Sequence, residues 1–126
     1  MRLLVLATLG GGVGAGARYL VQMGMMRVLG MGFPWWTFAI NIAGSFAMGL
    51  VVTLVALRFD NSADVRTFLA TGILGGFTTF SAFSLDVSNL LETKQTAAAA
   101  FYIAGSVGLS IVALYAGLAL AKAVWS

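Results

Sequence analysis

Apolar and polar positions alternate along this chain in four long runs and three short connections. The runs cover about Leu3–Met26, Trp35–Leu57, Phe68–Leu91 and Ala97–Val124. Each exceeds the roughly 20 helical residues that cross ~30 Å of hydrocarbon. The connections are GMGFP (30–34), which holds the only proline, FDNSAD (59–64) and ETKQT (92–96). Ser62 or Asp64 is placed to cap the third helix and Thr96 the fourth. Trp35, Trp36 and Trp125 stand at run ends, as in an aromatic belt. The first run follows Arg2 and resembles the start of a signal peptide. It continues through GGGVGAGARYLVQMGMM without a clear small-x-small cleavage site and stop, so it reads as a retained membrane helix. The expectation is one domain over residues 1–126: an all-α integral membrane bundle of four transmembrane helices.

The polar residues inside the runs are ordered. In the second, Thr37, Asn41 and Ser45 recur at i, i+4, i+8, and in the fourth Tyr102, Ser106 and Ser110 do the same. Each triple shares one helix face. All six residues donate hydrogen bonds, and none ionises near neutral pH. Such stripes serve either as an interhelical seam or as the lining of a path. Two aligned stripes together with the third-run cluster point to a path. Small residues at Gly10/Gly14, Gly12/Gly16 and Gly44/Ser45/Gly49 permit close packing, within one bundle or between two copies.

The third run carries GGFTTFSAFS at 75–84. Gly72, Gly75 and Gly76 each weaken a helix by about 1 kcal/mol relative to alanine, and the β-branched pair Thr78–Thr79 adds strain. The third helix is expected to break in this stretch. Irregular backbone at bilayer depth is tolerated only when buried in protein or lining a cavity, and the freed carbonyls and amides can then bind ions. Once helix resumes, Phe80 and Phe83 share a face, and their positive ring edges suit an anion.

Composition sharpens the picture. Of 126 residues, 60% are hydrophobic and 9% charged, against roughly 25% charged in a soluble domain. Mean hydropathy is +0.99. With no cysteine and no histidine, disulfides, the usual zinc sites and histidine triads are excluded. The net charge of +3 is scattered, with no basic run to engage nucleic acid. Four spans place both termini with the 58–66 loop. That side carries Arg2, Arg58, Arg66 and Lys122, and the other carries Arg27 and Lys94, with Arg18 leaning that way. The bias leaves open either one orientation or insertion both ways up. Arg18 and Asp86 are the charges placed inside spans, as an ion pair or as helix-end anchors.

GGFTTFSAFS, NIAGSF (41–46), GVGAGARY (12–19) and the Tyr102/Ser106/Ser110 stripe together resemble the Fluc (CrcB-type) family of microbial fluoride channels, over essentially the whole chain. Ala82 stands where that pattern usually has threonine, which removes one hydroxyl. The resemblance implies a passive fluoride channel in the bacterial inner membrane, not an enzyme, built as an antiparallel, dual-topology homodimer with two pores among the lipids. It implies that Phe80 and Phe83 line the fluoride path with Asn41 and Ser110. Tyr102, Ser106, Ser81, Ser84 and Thr37 extend the hydroxyl track. It further implies a central Na+ held by the Gly75 and Thr78 carbonyls of both subunits, and a structural or ion-access role for Arg18. Rival classes are a four-helix drug exporter, which needs a mid-span acid for proton coupling, and a non-transporting scaffold subunit, which leaves the hydroxyl stripes without a purpose. A membrane enzyme lacks a nucleophile–base pair.

Overall fold

The computed structural model describes residues 1–30 and 32–126; Met31, within the 30–34 connection, lies outside the described residues. The chain is all-helical. It comprises α1 (Arg2–Leu29), α2 (Trp35–Arg58), α3 (Ala63–Arg66), a π-helical stretch (Thr67–Leu74), α4 (Gly75–Phe77), α5 (Ser81–Glu92) and α6 (Thr96–Trp125). The elements from α3 to α5 form one bent segment. With α1, α2 and α6 this makes, among the described residues, four helices long and apolar enough to cross a membrane. α1, the third segment and α6 extend past their apolar runs at both ends, by one to five residues, whereas α2 starts with its run at Trp35 and adds only Arg58.

The ends are closed by local chemistry. Ser62 caps α3, its hydroxyl accepting from the Val65 amide at 3.3 Å. Asp64 instead accepts from Arg2 at 3.1 Å, tying the start of α1 to the third segment. Thr96 does not cap α6: it is the first helical residue, and Gln95 precedes it with no side-chain cap. The reason lies just upstream. α5 ends in a Schellman turn, with the Gln95 amide on the Leu90 carbonyl at 2.8 Å and the Lys94 amide on Leu91 at 3.0 Å. Lys94 takes the left-handed conformation there, at φ 61°.

Two seams hold the bundle. In one, α1 lies on the π-helical stretch and α4. A Cβ on Gly10 would fall 2.6 Å from the Phe68 carbonyl oxygen, so the backbones meet directly. In the other, α2 packs along α6, where a Cβ on Gly49 would fall 2.7 Å from the Leu118 amide nitrogen. The Gly10/Gly14 pair thus serves packing within one chain, whereas Gly12 and Gly16 have open space around them. Between the second seam and α5 sits a buried cluster of Phe83, Leu90, Ala99 and Tyr102, flanked by Phe33 and Phe38. Outward faces carry large apolar side chains such as Leu20, Val112 and Tyr115, as expected where lipid rather than water is the solvent.

Candidate functional site

Helical winding persists through the glycines of the third segment, with Gly75 at φ −63°, ψ −36°. It fails three residues later, where Thr78 turns extended at φ −86°, ψ 156°. The glycines therefore act mainly by close approach: a Cβ on Gly76 would overlap the Gly11 carbonyl of α1. The break itself spans Thr78–Phe80, inside the expected stretch.

A break at this depth strips the main chain of partners, and two side chains replace them. Asn41 on α2 donates from Nδ2 to the Thr79 carbonyl at 3.2 Å and accepts the Thr79 amide on Oδ1 at 3.1 Å. One side-chain amide thus pairs with both main-chain groups of a single residue, in the only orientation that matches donor to acceptor on both arms. From α1, Arg18 donates through Nε to the Gly76 carbonyl at 3.2 Å. Helix then restarts under a threonine cap, with the Ala82 amide donating to Thr79 Oγ1 at 3.3 Å. Among the described residues none donates to the carbonyls of Gly75 or Thr78.

Beside the break lies a cavity of about 560 Å³, bounded by α2, the third segment and α6. It brings together Asn41, Ser45, Gly75, Thr78, Phe80, Phe83, Ser106 and Ser110. The hydroxyl oxygens of Ser106 and Ser110 are buried with no partner among the described residues. An unpartnered buried hydroxyl costs about 1–3 kcal/mol, so these two oxygens call for a partner. Phe80 is 74% exposed at the surface of the chain. Its ring stands 5.4 Å from that of Phe83, which in turn stands 5.0 Å from Tyr102.

The remaining predicted residues sit apart from this cavity. Thr37 and Tyr102 are buried beyond it. The Ser84 hydroxyl donates back to the Phe80 carbonyl at 3.1 Å, and Ser81 lies 3.3 Å from Thr79 Oγ1 on the exposed side. The two intramembrane charges do not pair with each other. Asp86 accepts from the Tyr102 hydroxyl at 2.9 Å, while Arg18 serves Gly76. Asp86 also lines a second cavity of about 220 Å³ with Pro34, Trp36, Asn89 and Gln95. Tyr102 stands between the two, its ring on Phe83 and its hydroxyl on Asp86. Sequence reasoning missed Thr79 as the clamped residue and Asp86 as the partner of Tyr102; the first was signalled only by its position at the β-branched pair.

Residues 5–118 match the family described as CrcB-like protein, Camphor Resistance (CrcB). The chain belongs to the CrcB family. Its relatives include a "Fluoride-specific ion channel FluC" of Chelativorans sp. (strain BNC1), 53% identical over 96% of this chain and 97% of that one. Proteins of the same name from Mesorhizobium japonicum and Agrobacterium fabrum are 53% and 51% identical, over 96% and 94% of this chain and 97% and 95% of theirs. Within this family the four-span bundle makes the chain a multi-pass membrane protein with bacterial relatives.

The carbonyls of Gly75 and Thr78 are hard oxygen donors without hydrogen bonds, and they suit a hard cation such as Na+. Two oxygens fall short of the six or so that a hard cation usually takes. One chain therefore supplies at most part of a shell.

Proposed function

We propose that this protein is a passive, fluoride-selective channel that lets fluoride leave the cytoplasm and so protects against fluoride toxicity. The family and the names of its relatives support the ion. The buried, unpartnered hydroxyls of Ser106 and Ser110, two residues that line the cavity at the helix break, carry the mechanism. Fluoride is small and strongly hydrated, so a pore must replace its water with donors. Ser106 and Ser110 offer O–H, Asn41 offers its second amide hydrogen, and the edges of Phe80 and Phe83 add weaker positive potential. Among the described residues no Lys or Arg lines the cavity, which suits conduction, since an ion must bind loosely enough to leave.

We place the working unit as an antiparallel homodimer with two pores. The exposure of Phe80, the open space at Gly12 and Gly16, and the small charge bias support a second copy packed in inverted orientation. A Na+ at the dimer centre, held by the Gly75 and Thr78 carbonyls of both copies, would offset carbonyl dipoles that the break leaves bare.

Reconstituted protein in liposomes should release fluoride while chloride hardly moves, and Phe80→Ile should block or greatly slow that release with the dimer intact. Comparable chloride release would remove the selectivity, and uptake of organic cations driven by a pH gradient would instead indicate a proton-coupled exporter. Equal flux and stability after complete exchange into sodium-free medium would remove the central ion.

A further inference from the structure

We propose that Arg18 is a positioning residue that holds the helix break open by occupying the Gly76 carbonyl. In an unbroken helix that carbonyl would accept the amide four residues on, which is Phe80. Here the pair is unmade. Gly76 takes Arg18 Nε at 3.2 Å, and the Phe80 amide has no acceptor among the described residues. The two halves of the abandoned bond are thus still present, one capped and one bare. If the Phe80 amide closed on Gly76, the turn would rewind, Thr79 would be drawn off Asn41, and the Thr78 carbonyl would leave the cavity.

The location of Arg18 fits this role. It is half-buried on α1 and does not line the cavity. It approaches from the side where Gly76 lies against Gly11, opposite Asn41 on α2. The break is therefore held from both flanks. A guanidinium makes a charge-assisted bond to a carbonyl, roughly twice as strong as a neutral amide bond. A hydroxyl or amide in its place would compete with Phe80 on equal footing.

The inference rests on the channel reading for its consequence in transport, but its structural part is tested independently. Wild type, Arg18→Lys and Arg18→Met are reconstituted, and the exchange rate of the Phe80 amide is measured beside fluoride efflux. In Arg18→Met the Phe80 amide should exchange at least about tenfold more slowly, the least that a charge-assisted bond is worth, and efflux should fall by a similar factor. Arg18→Lys, which still reaches Gly76 with a cationic donor, should keep the fast exchange and most of the flux. An exchange rate in Arg18→Met within about twofold of wild type overturns the proposal, whether or not flux is lost. Should Arg18→Met fail to fold, Arg18→Lys decides alone: slowed exchange overturns the proposal and fast exchange supports it. Slowed exchange in Arg18→Met, with no fluoride efflux from wild type, would keep the positioning role and sink the channel reading instead.

Discussion

The α2–α6 seam and the third segment meet one demand by opposite means. Both belong to helices long and apolar enough to cross a membrane, and both use glycine to bring backbones together. Along α2 and α6 every ladder bond inside the helices stays closed, and Gly49 and Gly117 only remove bulk. The third segment opens its ladder at Thr78–Phe80 and recruits Asn41 and Arg18 to cover part of what it exposes. Gly75 and Thr78, whose carbonyls stay uncovered, border the cavity. A bundle can thus keep one seam as a rigid frame and use the other as chemistry, provided donors arrive from neighbouring helices rather than from water.

The contrast is broken most severely at the frame. Gly49→Val should abolish the folded bundle, because its side chain must displace α6 backbone at Leu114 and Leu118 rather than a flexible side chain. Overpacking costs typically 1–3 kcal/mol where repacking is possible, and it is not possible here. Loss of the monodisperse species in detergent is the measurement, and a folded Gly49→Val would show the seam to be looser than described.

Asn41→Leu comes next. It strands the carbonyl and amide of Thr79 together, at about 1–3 kcal/mol each, so thermal unfolding should shift down by a margin of several kcal/mol while α2–α6 packing persists. A small shift would mean that the Thr79 peptide finds water.

Ser106→Ala separates function from stability. Removing an unpartnered buried hydroxyl should leave stability unchanged or raise it by about 1 kcal/mol, yet fluoride efflux should fall severalfold. Parallel loss of stability and flux would mark Ser106 as a packing residue.

The smallest effect is expected at Lys94, outside both regions. Its left-handed backbone at φ 61° costs a non-glycine residue about 1–2 kcal/mol. Lys94→Gly should therefore raise the unfolding midpoint by roughly that amount, less the added freedom of the unfolded chain, with flux unchanged.

Much of this was legible along the chain. The four spans follow from run length, the two stripes from helical period, and the break from glycines beside β-branched threonines. The locus of the break was less so. Glycine propensity points at Gly75–Gly76, yet both residues stay helical, and α1 packs on Gly76 through Gly11. Thr96 looked like a cap only because the Schellman turn at Lys94–Gln95, a matter of backbone geometry, has no side-chain signature. Arg18 and Asp86 invited pairing because opposite charges in hydrocarbon usually seek each other, and each found a neutral partner instead.

By itself the sequence determined the solvent, the number of spans, which residues share a face, and that regular winding fails within the third span, since all of these depend on neighbours within a turn or two. Which donor covers which stranded group was decided by tertiary structure alone. Asn41 meets Thr79 across 38 residues, Arg18 meets Gly76 across 58 and Tyr102 meets Asp86 across 16. Those distances along the chain close only when packed helices bring the side chains to one depth.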